Sequence, residues 1–322
     1  MKKRLFLIIS SAFLLSACSG GDAIDTVELA VQGLYSADIS DDGTTAVAGS
    51  ILHGGSFWGV NKKERRFNWN HKQGEYASLI SVDIDPSGLY ALTADERTLV
   101  LWNAQTGEPR EFWNSPGDIK SLKLNSNGDF ALLGLDDGTA RYFDIKNGGI
   151  KQTFRTDAIV RSVDLNESGS LAVTGDDNYN VILWDTESGE KRHEWSLSNR
   201  IGSVALSQDG KYVFGAAQLG NAIVWSADTG ELVFELDTGA LASRNATINK
   251  AKFSNDNRYL LTGEINSKIR LYRLPQGDLL KSWQANTKDS FRPTGTAIIA
   301  LSFGLDGKYY AIGGNGLLNV LK

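Results

Sequence analysis

The stretch LWDTESGEKRHEW, residues 183–195, decides the fold. Trp184 and Trp195 stand eleven positions apart, and a polar turn ending at Gly189 separates them. The same spacing joins five further pairs: Trp58 and Trp69, Trp102 and Trp113, Phe143 and Phe154, Trp225 and Leu236, and Tyr272 and Trp283. A phrase that recurs at a fixed period indicates a repeat architecture. We interpret the spaced aromatics as core residues that wedge one repeat against the next.

A short alternating run that ends in a polar turn accompanies these pairs. There are seven such runs: SADISDDG (36–43), SVDIDPSG (81–88), SLKLNSNG (121–128), SVDLNESG (162–169), SVALSQDG (203–210), KAKFSNDN (250–257) and ALSFGLDG (300–307). Residues 162–195 then read as four strands, because Val163 and Leu165 alternate with polar residues and further β-rich segments follow at 170–175 and 181–185. Four-stranded sheets bury both faces when they stack around an axis. The sequence therefore predicts an all-β, seven-bladed propeller.

The seventh repeat reaches Lys322 without a fourth strand. The segment IDTVELAV (24–31) alternates as a strand should and precedes the first repeat. We expect it to complete the last blade, which would cover an edge that invites aggregation.

Two short motifs carry a family resemblance. LWD (183–185) resembles the closing dipeptide of a WD-repeat (WD40) blade, and DPSG (85–88) resembles its first turn. The similarity spans residues 24–322 in period and order. The Gly-His pair that the family places before the first strand is missing, and blade 2 has Gly74-Glu75 instead. The resemblance implies a divergent bacterial propeller that lacks the family's buried His–Ser–Asp–Trp hydrogen-bond network.

The first residues indicate export and lipidation. Residues 1–17 combine a basic start with a short apolar run, which is typical of a signal peptide. LSAC (15–18) resembles the bacterial lipobox, so we expect Cys18, the single cysteine, to be acylated. Residues 18–23 would form a short tether to a propeller at 24–322. Ser19 resembles the residue that sorts lipoproteins by default to the outer membrane, which predicts an anchor on its periplasmic face.

Charge argues against nucleic acid as a partner. The chain has 33 basic and 38 acidic residues, whereas nucleic-acid binders show a basic footprint. Lys62, Lys63, Arg65 and Arg66 form the one basic cluster beyond the signal segment. We interpret it as a solvated turn, with contact to anionic lipid as the alternative.

The sequence offers little for catalysis. His53, His71 and His193 have no metal-site spacing. DIDPSG (83–88) begins like a calcium loop, but its twelfth position is Ala94 where such a loop needs glutamate. We predict no catalytic residue, no metal and no cofactor.

Charges at the third position of the predicted inner strands are unusual. These third residues are Asp38, Asp83, Lys123, Asp164, Ala205, Lys252 and Ser302. Because buried charges need partners, we predict a network between blades in which Asp83 and Asp164 bridge Lys123. The alternative is a carboxylate-lined channel that binds a metal or small ligand, as in lactonase-type hydrolytic propellers.

The two longest connections between blades, 238–249 and 284–296, flank blade 6. Insertions on one side of a repeat array often mark its binding side. Arginine and aromatic residues are favoured in interface cores, so the candidate contacts are Arg244, Asn245, Phe291 and Arg292. Two disordered surface loops are the alternative. The predicted function is a non-catalytic scaffold for an envelope protein, in envelope assembly or maintenance; the rival is a ligand-binding or hydrolytic propeller.

Overall fold

The computed structural model describes residues 21–51, 53–72, 74, 77–236, 247–288, 295–305 and 307–322. Its strands form seven sheets, one for each predicted blade. Within these ranges, no helix is long and apolar enough to cross a bilayer. The predicted fold class is confirmed.

The four main strands of each blade pair antiparallel, and in blades 1 to 6 these four follow one another in chain order from the axis outward. Blade 1 contains β3 (Leu34–Ile39), β4 (Thr45–Ser50), β5 (Gly54–Gly59) and β6 (Glu64–Trp69). Blade 2 contains β7 (Ser81–Ile84), β8 (Tyr90–Ala94), β9 (Thr98–Asn103) and β10 (Pro109–Asn114). Blade 3 contains β11 (Ile119–Leu124), β12 (Phe130–Leu135), β13 (Thr139–Asp144) and β14 (Ile150–Arg155). Blade 4 contains β15 (Val160–Leu165), β16 (Leu171–Asp176), β17 (Asn180–Asp185) and β18 (Lys191–Ser196).

Blades 5 and 6 follow the same order, and blade 7 takes its fourth strand from the N-terminal part of the chain. Blade 5 contains β19 (Ile201–Leu206), β20 (Tyr212–Ala217), β21 (Ala222–Ser226) and β22 (Leu232–Glu235). Blade 6 contains β23 (Ile248–Phe253), β24 (Tyr259–Glu264), β25 (Lys268–Arg273) and β26 (Asp278–Gln284). Blade 7 contains β27 (Ile298–Phe303), β28 (Tyr309–Gly313), β29 (Leu317–Leu321) and the N-terminal strand β2 (Asp25–Glu28). The inner strand β27 contacts β3, which closes the ring.

The N-terminal strand closes blade 7 as predicted. β2 pairs antiparallel with β29, with Val27 opposite Leu318. Lys63 Nζ lies 2.7 Å from an Asp25 carboxylate oxygen, and Lys288 Nζ lies 2.8 Å from Glu28. Ion pairs therefore hold the closing strand on both sides, from Lys63 in blade 1 and from Lys288 in the connection after blade 6. Lys63 is part of the basic cluster.

A further short strand was not predicted. β1 (Gly21–Asp22) pairs in parallel with the end of β26 and extends blade 6 to five strands. Gly21 lies opposite Trp283 in this pairing. The chain thus runs along the outer edge of blade 6 before it enters blade 7.

The first turn of a blade requires left-handed backbone. Gly169 has φ 72° there, and five other blades repeat a glycine in this place. Blade 6 uses Asn257, with φ 55°, because asparagine tolerates this region better than most residues.

The spaced aromatics pack between blades, as predicted. Trp69 of β6 stacks on Trp102 of β9 with ring centroids 5.0 Å apart, and Trp195 of β18 stacks on Trp225 of β21 at 4.7 Å. The Trp69 indole N–H also donates to the carbonyl oxygen of Gly107, at 3.1 Å. The outer strand of each of these blades is thereby wedged against the third strand of the next.

Candidate functional site

Carboxylates of the inner strands join neighbouring blades around the central channel. Asp38 accepts the backbone N–H of Ile84 at 2.9 Å. In the same way, Asp83 accepts from Leu124 and Asp164 accepts from Leu206, both at 2.8 Å. Each bond runs from one inner strand to the inner strand of the next blade. Sequence reasoning missed this pattern because its donors are backbone groups.

Serines two positions earlier repeat the pattern. Ser81 Oγ accepts the N–H of Leu122 at 3.1 Å, and Ser162 Oγ accepts that of Val204 at 3.0 Å. Ser121 makes the equivalent bond to Val163 at 3.3 Å. From blade 1 to blade 5, neighbouring inner strands are therefore joined by hydrogen bonds between side chains and backbone.

Lys123 pairs with one aspartate rather than two. Its Nζ lies 2.8 Å from Asp83 Oδ1. The Asp164 carboxylate instead accepts N–H groups of Leu165 and Leu206, and no ion pair within 4.0 Å joins it to Lys123 in the described part of the chain. The predicted two-aspartate bridge is corrected accordingly, because backbone donors already occupy the second carboxylate.

The Asp83–Lys123 contact is an ion pair. Burial opposes charge on both groups, but the attraction of the nearby carboxylates, Asp83 first, raises the pKa of the Lys123 ammonium. Burial also raises the pKa of the Asp83 carboxyl, against the influence of Lys123. The geometry decides between these opposing effects. Both Asp83 oxygens accept hydrogen bonds, from Lys123 and from Leu124, as a carboxylate does.

A second buried pair crosses one mouth of the channel. We call the side that carries the turns between first and second strands the turn face, and the opposite side the loop face. Asp41, in the first turn of blade 1, lies 2.5 Å from Lys252 Nζ of blade 6. Its other carboxylate oxygen accepts from the amide of Gln208 in blade 5, at 2.7 Å. These bonds link blades that are not neighbours.

The channel interior is small, and the charged groups described above lie in its wall. Its volume is about 130 Å³, and its lining includes Asp38, Asp41, Asp83, Lys123, Asp164 and Lys252. Burial would raise the pKa of the Asp41 carboxyl, but Lys252, Lys123 and Gln208 together hold it below its usual value. The described residues contain no group of three or more His, Cys, Asp or Glu placed to hold a metal ion.

One of the structural repeats also matches a known family. A family model described as WD domain, G-beta repeat, matches residues 148–185, which run from β14 to the end of β17. The protein is a WD40-like β-propeller. A comparison with curated proteins gives no significant match.

One blade of this WD40-like propeller builds the hydrogen-bond network that the sequence predicted to be lost. In blade 2, His71 contacts Thr98 Oγ1 at 2.7 Å and Thr93 Oγ1 at 2.9 Å. Thr93 Oγ1 also accepts the indole N–H of Trp102 at 2.8 Å, and the Asp95 carboxylate lies 3.5 Å from His71. The prediction of absence is therefore wrong for blade 2.

The signal for this network was an insertion. The connection from Trp69 to Ser81 is four residues longer than the one from Trp113 to Ser121. The insertion therefore separates His71 from the first strand of blade 2 by more residues than in the family motif, so a search for that motif does not find it. Blade 4 keeps the Trp184 to Thr174 bond, at 2.9 Å.

The predicted partner contacts Arg244, Asn245, Phe291 and Arg292 lie outside the described residues, as does Cys18. The described flanks of the two connections do contact other blades. Thr247 Oγ1 accepts the N–H of Leu219 at 3.0 Å, and Lys288 bonds to carbonyl oxygens of residues 30 and 31. Both connections thus begin or end on the loop face.

Proposed function

We propose that this WD40-like propeller is a non-catalytic scaffold for an envelope protein, with a role in envelope assembly or maintenance. WD40 propellers are typically scaffolds that mediate protein–protein interactions. One observation carries the proposal: the carboxylates that a channel-centred enzyme would use are bonded to Lys123, Lys252 and backbone N–H groups. Breaking those bonds to bind a metal or a substrate would also remove contacts that hold the blades together.

In this proposal the chain is held to the membrane by an acylated Cys18, on the periplasmic face of a bacterial outer membrane. The pairing of Gly21 with Trp283 supports a tether that leaves the ring at the outer edge of blade 6. The three Cα–Cα steps from Cys18 to Gly21 would span about 10 Å in extended chain. The ring would then lie close to the bilayer.

The loop face is the proposed docking side. It carries both long connections, with candidate contacts Arg244, Asn245, Phe291 and Arg292, and loops on a rigid scaffold commonly carry function. The turn face offers less, because the Asp41, Lys252 and Gln208 bonds cross it.

The test is a crosslinking pull-down of the tagged protein from membranes, read by mass spectrometry, with a Cys18→Ala variant as the control for anchoring. We expect a reproducible envelope partner that is lost when 238–249 and 284–296 are shortened. A pull-down without specific partners, from protein shown to be folded and membrane-bound, would refute the scaffold.

A further inference from the structure

Two bulky residues are held in strained backbone on the loop face of adjacent blades. Tyr179, between β16 and β17, has φ 72°, and Leu219, between β20 and β21, has φ 53°. Side chains of this kind rarely adopt left-handed backbone, because their Cβ crowds the following carbonyl. Both side chains are also exposed, Tyr179 by 47 % and Leu219 by 65 %.

The position of Tyr179, directly before the third strand, is filled differently in other blades, with Ser267 (φ 71°) in blade 6. The residue directly before the third strand is Gly138 in blade 3 and Gly316 in blade 7, with φ 77° and 86°. Glycine takes this conformation without strain. Stability alone would therefore favour glycine in the place of Tyr179, and an exposed tyrosine there points to a role outside the fold.

The two residues line one groove together with a positioned cation. The groove has a volume of about 380 Å³ and is lined by Asp177, Tyr179, Asn199, Arg200, Gln218 and Leu219. Gln218 accepts a hydrogen bond from Arg200 Nε at 2.6 Å, which fixes the guanidinium without neutralising it.

The groove lining contains one carboxylate, Asp177, and one guanidinium, Arg200. Asp177 is already held by Arg161 through two hydrogen bonds of 2.8 Å. In the described part of the chain, no carboxylate lies within ion-pair distance of Arg200. The remaining guanidinium N–H groups can thus donate to a carboxylate in fork geometry. Arg161, Asp177 and Arg200 together carry one net positive charge, on a chain whose net charge is −5.

We propose that this groove between blades 4 and 5 docks an extended acidic segment of the partner protein. An aspartate or glutamate of the segment pairs with Arg200, and a neighbouring large apolar side chain packs on Tyr179 and Leu219. Arginine and tyrosine are the residue types that most often dominate interface energetics. The inference rests on the proposed scaffold function and names one surface for it.

The strained backbone allows an unusually clean variant. Tyr179→Gly removes the aromatic contact while it relieves the turn, so we expect its thermal midpoint to equal or exceed that of the wild type. Arg200→Glu reverses the charge in the groove. The matched controls are Leu232→Ala, an exposed apolar residue on the outer strand of blade 5, and Arg258→Glu, an exposed arginine on the turn face.

The probe is a displayed library of random peptides, selected on the full-length protein. Enriched sequences are then made as labelled peptides and titrated by fluorescence anisotropy. We expect enriched peptides to carry a carboxylate beside a large apolar residue. Tyr179→Gly and Arg200→Glu should each weaken binding at least about tenfold, with both controls unchanged.

Three outcomes would overturn the proposal: no enriched acidic-apolar peptide, binding that neither groove variant affects, or a Tyr179→Gly protein that unfolds at a lower temperature than the wild type. The crosslinking experiment separates this result from the scaffold function. A membrane partner still captured by folded groove variants would leave the scaffold standing and exclude this groove as its docking site.

Discussion

At the scale of single residues, His71 joins the connection after blade 1 to two strands of blade 2. Its imidazole lies between the hydroxyls of Thr93 and Thr98, with only 2 % of the side chain exposed. Removing it would deprive the buried Thr93 hydroxyl and the half-buried Thr98 hydroxyl of this partner. Because an unsatisfied buried polar group costs about 1–3 kcal/mol, we expect His71→Ala to lower the free energy of unfolding by about that amount.

Urea unfolding of purified protein measures this loss. His53→Ala is the control, since His53 is exposed and surface substitutions usually change stability by less than about 0.5 kcal/mol. Equal stability of the two variants would contradict a structural role for the blade 2 network.

The same residue should give the protein a pH dependence. Burial lowers the pKa of His71 below 6.5, and the nearby Asp95 offsets this only in part. The unfolded chain therefore takes up a proton near pH 6.5 before the folded one does. The contribution of neutral His71 is complete above pH 6.5 and is lost as the pH falls from 6.5 through the lower folded value. Unfolding curves across this range should converge for wild type and His71→Ala as the pH falls.

The sequence predicted a residue's contacts where the repeat spacing fixes both partners, and it failed where the partner is a backbone group. The eleven-residue spacing predicted the wedge of Trp195 and Trp225 because the repeat itself places those rings on adjacent blades. Asp164 was expected to contact Lys123, yet it bonds to the backbone of Leu206. Every residue except proline carries a backbone N–H. The residue types therefore do not reveal this contact, and only the structure shows it.

At the scale of strands, β2 decides whether blade 7 has an open edge. Val27 faces a buried apolar cluster that includes Leu318 and Val320. An aspartate at this position would bury an unpaired charge. We expect Val27→Asp to lower the free energy of unfolding by about 3 kcal/mol or more.

Detachment of the strand would expose the edge of β29, which favours association. Thermal unfolding measures the stability loss, and size-exclusion chromatography measures association. Ile24→Asp, an exposed position beside the same strand, adds the same charge and should leave both properties unchanged. A Val27→Asp protein as stable and monomeric as this control would show that β2 does not close the ring in solution.

The closing strand β2 was predictable from the sequence, and the additional strand β1 was not. Alternation in 24–31 and the missing fourth strand of the last repeat both pointed to the pairing now seen between Val27 and Leu318. The parallel addition of Gly21 and Asp22 to β26 involves two residues without a periodic pattern. Two residues give no hydrophobic period from which a strand could be inferred.

At the scale of the whole molecule, most contacts between blades join neighbours, and Asp41 is different. It binds Lys252 of blade 6 and Gln208 of blade 5 from its place in blade 1. No repeat pattern predicts contacts 167 and 211 residues apart in sequence. Such bonds across the channel mouth couple distant blades and favour unfolding as one unit.

The last prediction concerns this coupling. Asp41→Asn would leave the Lys252 ammonium, whose side chain is 21 % exposed, without its carboxylate. Removing one partner of a buried ion pair costs about 3–5 kcal/mol, so we expect a loss of that order at neutral pH. Gln208→Ala spares the ion pair and should cost less.

Because Asp41 has a lowered folded-state pKa, the stability advantage of the wild type over Asp41→Asn is present above pH 3.8 and is lost as the pH falls through the folded-state pKa. Tryptophan fluorescence and circular dichroism, followed together in urea, should report one shifted transition; an unshifted midpoint would show that the crossing bonds do not hold the ring together.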